Sequence, residues 1–116
     1  MAVISKICLT GAANGTGVKV VQTGTAGTTV HTSVAGTTSF HEIWLWACNT
    51  NTAPVTLTLE WGSADVDDNI KVDINPNETL LVSPGLVLQN GLIVKAFASV
   101  ANKVNIFGYA HLLDYS

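Results

Sequence analysis

The chain has 116 residues, 47% of them hydrophobic and only 11% charged, with a net charge of −3. That length suits one domain with a two-layer core. The charged fraction is well below the roughly 25% of ordinary soluble domains, so the free surface must be polar without charge or be buried against partners. All five basic residues are lysines (Lys6, Lys19, Lys71, Lys95, Lys103) and arginine is absent. Without the side chain that best forks onto phosphate or carboxylate, nucleic-acid binding and the capture of an anionic substrate are set aside.

Residues 1–9 read as a strand or an extended arm, with Val3, Ile4, Ile7 and Leu9 apolar. They contain no secretory leader, and no apolar run in the chain approaches the roughly 20 residues of a spanning helix. The expectation is a protein made in a cytoplasm that stays soluble. The Gly-rich segment 11–17 lacks the Lys-Ser/Thr of a phosphate loop and no amphipathic helix follows it, so it reads as a turn between strands. Strands follow over 18–22 and 28–32, separated by Thr23-Gly24-Thr25-Ala26-Gly27.

The strongest element covers 39–49. Its odd positions include Ile43, Leu45 and Ala47, and its even positions Phe40, Trp44, Trp46 and Cys48. A strand with one solvated face alternates apolar and polar residues. This one therefore lies centrally with both sides covered, or turns one face to another subunit. After Asn49-Thr50-Asn51-Thr52-Ala53-Pro54 the alternation of Val55, Leu57, Leu59 and Trp61 with Thr56, Thr58 and Glu60 predicts a half-buried strand, paired with its predecessor as a hairpin.

An acidic loop over 62–69 precedes a strand over 70–74, and Pro76 fixes the next turn. A short strand over 79–82 is punctuated by Ser83-Pro84-Gly85. Leu86, Val87 and Leu88 then lead to Asn90-Gly91, the best turn signal in the chain. The even positions of 92–100 are apolar and predicted to point inward. In the last strand Val104, Ile106, Gly108, Ala110 and Leu112 oppose Phe107, Tyr109 and His111. No window shows a helical period. Eight to ten short strands in one unit predict an all-β, single-domain antiparallel β-sandwich, with jelly-roll topology as one option and the strand order open. Residues 1–17 are read as a flexible N-terminal arm with its Gly-rich loop, and 18–116 as the sandwich.

Little in the chain points to catalysis. His31, His41 and His111 are enough in number for zinc, but no two are at chelating spacing, and strand histidines of this kind belong to core edges or interfaces. Asp65, Asp67 and Asp68 lack the glycine and distal glutamate of a calcium loop and read as a solvated acidic loop. Glu42 and Glu60 would face each other across a 39–62 hairpin, a pairing that could serve glycoside hydrolysis, but nothing else suggests a sugar cleft. No nucleophile elbow is present. Cys8 and Cys48 are expected reduced and buried. The expectation is no enzyme, no metal and no cofactor. Trp44 and Trp46, two apart on one strand, form an aromatic strip that suits a sugar or a partner protein, with Trp61 a further stacking candidate.

The chain also resembles a family. Thr28-Thr29-Val30-His31-Thr32, Ile43-Trp44-Leu45-Trp46-Ala47-Cys48-Asn49 and Ala53-Pro54-Val55-Thr56-Leu57-Thr58-Leu59 come first. Ile74-Asn75-Pro76-Asn77-Glu78-Thr79 and Gly85-Leu86-Val87-Leu88 follow. Ala96-Phe97-Ala98-Ser99-Val100-Ala101-Asn102-Lys103-Val104-Asn105-Ile106 and Gly108-Tyr109 complete the series. In this order they resemble the small β-sandwich virion proteins of tailed bacteriophages and prophages. Asn77 stands where such proteins usually carry Gly, and the two tryptophans of the central strand are atypical. The resemblance implies a non-enzymatic virion part. The expectation is a capsid decoration or cement protein that binds the major capsid protein or other virion proteins as a homo-oligomer, a trimer being favoured. It would reside in the virion after synthesis in the host cytoplasm, with no nucleic-acid or membrane partner. The alternatives are a neck, tail or head-fibre component and a carbohydrate-binding module. The candidate interface residues are Trp44, Trp46, Phe107, Tyr109, Ile4 and Ile7.

Overall fold

A computed structural model describes residues 3–114; the first two residues of the predicted arm and the last two of the chain lie outside them. Among the described residues nine strands form: β1 Val3–Cys8, β2 Val18–Val20, β3 Thr28–Thr32, β4 Ser39–Asn49, β5 Val55–Trp61, β6 Asn69–Ile74, β7 Thr79–Leu88, β8 Ile93–Ala98 and β9 Val104–Asp114. The only helical element among the described residues is a 3-10 turn at Val66–Asp68. All pairings are antiparallel. One sheet, here called the front, runs β1-β9-β4-β7 with β2 also on β9; the back sheet runs β3-β8-β5-β6. Counting β1 and β2 as one interrupted strand, this is the eight-strand order of a jelly roll, so the all-β sandwich is of that topology.

The core lies between the sheets. It is filled from the front by Ile43, Leu45, Ala47, Val104, Ile106 and Ala110, and from the back by Val55, Leu57, Leu59, Val94, Ala96 and Ala98, all essentially inaccessible. Period-two alternation makes this possible, because through the middle of β4, β5, β8 and β9 every second residue is apolar and faces the same way. The even positions of 92–100 behave as expected at Val94, Ala96 and Ala98, whereas Leu92 and Val100 lie beyond the strand ends and are exposed.

The predicted 39–62 hairpin does not form. β4 pairs with β7 and β9, β5 with β6 and β8, so the chain crosses from front to back sheet between Asn49 and Val55. The fully buried Asn49 secures the crossing. Its Nδ2 donates to the carbonyls of Ala53 (3.1 Å) and Ile74 (2.9 Å), and its Oδ1 accepts from the Asn51 N–H at 2.8 Å. Glu42 and Glu60 therefore belong to different sheets and make no catalytic pair. A second correction concerns Ser83-Pro84-Gly85: β7 runs through it as one strand, with register shifts opposite Ile43/Trp44 and Leu45/Trp46 that absorb the proline as bulges.

β1 and β2 occupy the same edge of β9, on residues 109–114 and 104–106 respectively. Residues 9–17 make an excursion from that edge to the back sheet. There Gly11 N–H donates to the Val30 carbonyl (2.9 Å) and Thr10 Oγ1 accepts from the Thr32 N–H at 2.6 Å. Gly11 lies so close to β3 that a Cβ would stand 2.5 Å from the Val30 oxygen. The Pro76 turn has Asn77 at φ 61°, which asparagine tolerates in place of glycine.

Candidate functional site

The outward faces of the two sheets differ. The outward side of the back sheet carries Thr56, Lys71, Asp73 and Lys95, the buried Thr58 and Glu60, and the half-buried Phe97 beside Thr58, with Thr56 donating to Asp73 at 2.7 Å. The buried Glu60 accepts from the Thr25 hydroxyl (2.5 Å) and the Gly27 N–H (2.6 Å), which clamps the 23–27 loop over that face. The front sheet instead places aromatic rings side by side. On β4 the outward positions are Phe40, Glu42, Trp44, Trp46 and Cys48. Cross-strand register sets Tyr109 beside Trp44, Phe107 beside Trp46 and His111 beside Glu42.

The rings form a continuous ladder. Trp44 and Trp46 are stacked, with centroids 6.5 Å apart and planes 22° apart. Trp46 lies 6.1 Å from Tyr109, and Tyr109 lies 5.2 Å from His111. Lys6 of β1 flanks the ladder with its Nζ 4.4 Å from the Tyr109 centroid, a cation–π contact. Glu42 ties Trp44 to His111. Its Oε1 accepts from the Trp44 indole N–H at 2.8 Å and lies 3.2 Å from His111 Nδ1. The bond from Trp44, then that from His111, holds the Glu42 carboxyl below the ordinary glutamate pKa, so it stays charged. Gly85 completes the arrangement from β7. At φ +80°, a Cβ there would come within 2.9 Å of the Trp44 ring, so the indole uses the space that a side chain would fill.

Of the predicted interface residues, Trp44, Trp46, Phe107 and Tyr109 come together on this face. Ile4 joins their side at the β1 edge, opposite Leu113. Ile7 does not: it pairs with Ala110, faces the interior and packs against the core. Trp61 is likewise away from the ladder. It packs on the core and donates its indole N–H to the Val87 carbonyl (3.2 Å), tying back sheet to front. Sequence reasoning did not reach Lys6, Glu42, His111 and Gly85 as parts of the ladder. The outward position of Glu42 on β4 was a usable signal, but the β1–β9–β4 order that brings Lys6 and His111 to it was not readable.

The remaining candidates resolve locally. His31 and His41 meet in the interior, Nε2 to Nδ1 at 2.8 Å, while His111 is on the outer face with Glu42. Among the described residues no three histidine, cysteine or acidic side chains cluster as metal ligands. In the acidic loop Asp65 accepts from the Asp67 N–H (3.0 Å) and Asp68 from the Ser63 hydroxyl (2.6 Å), so two of its carboxylates are engaged within the loop. Both cysteines are free thiols, and Cys8, expected buried, is exposed on the β1 edge while Cys48 is half-buried.

No family model matches the chain, and no curated protein or solved structure matches it significantly.

Proposed function

We propose that the chain is a non-enzymatic structural protein of a tailed-bacteriophage virion. In this reading it is a capsid decoration or cement protein that holds the head lattice as an oligomer, and the outward face of the front sheet is its docking surface. The observation that carries the reading is the contrast between the two faces. One is mostly polar, with Phe97 its single aromatic among the described strand positions, and is partly covered by its own loop; the other carries a ladder of half-exposed aromatic rings beside exposed Phe107 and Leu81. Aromatic anchors at the centre of an apolar patch are what protein interfaces use for most of their binding energy. The jelly roll, common in capsid and lectin domains, supports the reading only by analogy, and the motif order that resembles phage virion proteins supplies the setting. An oligomer touching several lattice subunits gains avidity without strong single contacts.

The near-parallel Trp44 and Trp46 rings also suit stacking on a saccharide, which is the second reading. Gold-labelled antibodies against the chain, applied to particles from cells that express the gene, test the first. Label over the heads is the expected result, label confined to neck or tail moves the assignment there, and unlabelled particles overturn it.

A further inference from the structure

We propose that the front-sheet face receives an arginine-bearing segment of a protein partner, with the guanidinium stacked on the Trp44–Trp46 pair and hydrogen-bonded to Glu42. This rests on the docking-surface reading and names the chemistry of what docks.

Three observations converge on a cation. Glu42 is ionised at the rim of the ladder, and both of its side-chain bonds end on Oε1; neither uses Oε2. A carboxylate offers about four acceptor positions, so Oε2 can still take the N–H groups of an incoming donor. Next, the ladder already holds a cation on one of its rings, where Lys6 sits over Tyr109. The Trp44 and Trp46 faces are better cation platforms than tyrosine. Finally, the chain is acidic overall, at −3, and has no arginine of its own, so a guanidinium for this platform must come from outside. Arginine stacks flat on aromatic faces while its edge meets a carboxylate, a combination that a lysine ammonium does not reproduce.

The surroundings favour a protein over a sugar as the carrier of that cation. Phe107, Leu81 and Val87, on the strands flanking the ladder, are 46%, 47% and 53% exposed. A sugar ring stacked on the Trp44–Trp46 pair would find its polar partners, Glu42 and His111, on one side only, and leave the apolar rim on the other uncovered. A protein segment would cover the apolar rim while its arginine fills the polar end.

The test uses the full-length chain, isotopically labelled, with the three tryptophan indole N–H resonances followed by NMR. N-acetyl-arginine amide is titrated against N-acetyl-citrulline amide, its uncharged isostere. Saturable shifts at Trp44 and Trp46 but not Trp61 are expected, with citrulline about tenfold weaker or worse. Glu42→Gln, which keeps an acceptor for Trp44, should weaken the arginine response by about tenfold while leaving the spectrum dispersed. Equal response to citrulline, no saturable response, or an unchanged response in Glu42→Gln overturns the proposal. So does a panel of oligosaccharides that shifts the same resonances where arginine does not. A flat titration leaves labelled heads unaffected, and unlabelled particles leave these spectra unaffected, so the inference and the function it rests on fail separately.

Discussion

His31 and His41 join the two sheets through a hydrogen-bond chain with one direction. The Thr10 N–H donates to His31 Nδ1 at 3.1 Å, so His31 must carry its proton on Nε2 and donate it to His41 Nδ1 at 2.8 Å. Every nitrogen at these contacts is already committed, and an added proton on His31 Nδ1 or His41 Nδ1 would set donor against donor. Burial, and then the neighbouring His41, lower the His31 pKa to about 4; burial lowers that of His41. Because the folded values lie below the unfolded one, the unfolded chain takes up protons first as pH falls. Stability from this pair is therefore full above about pH 6.5 and declines toward pH 4, by about 3 kcal/mol for His31. Urea unfolding at steps from pH 7.5 to 4.5 should show that decline, and His31→Gln should flatten it. A wild-type stability constant across this window would contradict the assignment. Asn49 gives a second prediction at this scale. Asn49→Ala strands the Ile74 and Ala53 carbonyls and the Asn51 N–H, and should cost about 2–3 kcal/mol in the same experiment.

Among the elements, β4 and β7 show where reading a sequence succeeds and where it stops. The extent of β4 was legible because eleven residues without Gly or Pro carry apolar side chains on both faces, and its central position follows from having β7 and β9 on either side. Its partners were not legible. Alternation fixes which way a side chain points, not which strand lies alongside, and the Pro54 turn looks the same whether it reverses within a sheet or crosses between two. Long-range contacts such as Asn49 with Ile74 decided the matter. Ser83-Pro84-Gly85 misled for a related reason: on an edge strand a proline need not end pairing, and β7 lies at the edge. The Gly85 bulge also seats Trp44. Gly85→Ala places a side chain at positive φ against the indole, and should cost about 1–2 kcal/mol and alter the near-ultraviolet circular dichroism of the tryptophans. Unchanged stability and an unchanged spectrum would show that Trp44 does not depend on the bulge.

For the whole molecule, two sheets bury one core but leave two unlike outer surfaces. The Trp44–Trp46 strip was visible in the sequence because the i, i+2 spacing of a strand puts both rings on one side. The ladder through Tyr109 to His111 and Lys6 was not, since it depends on β9 lying between β4 and β1. If this face binds the head lattice as proposed, each molecule of the oligomer brings one such face to it. Light scattering during size-exclusion chromatography should then return a discrete oligomer, a trimer by expectation; a monomer at all concentrations would remove avidity from the account.

On the proposed reading, the front-sheet ladder does the docking. Co-sedimentation of the purified chain with undecorated phage-like heads from cells that express the gene tests it most directly, comparing wild type with a Trp44→Ala/Trp46→Ala variant shown by circular dichroism to be folded. Saturable binding by the wild type and at least about tenfold weaker binding by the variant are expected. Equal binding by the two would place the docking surface elsewhere on the molecule.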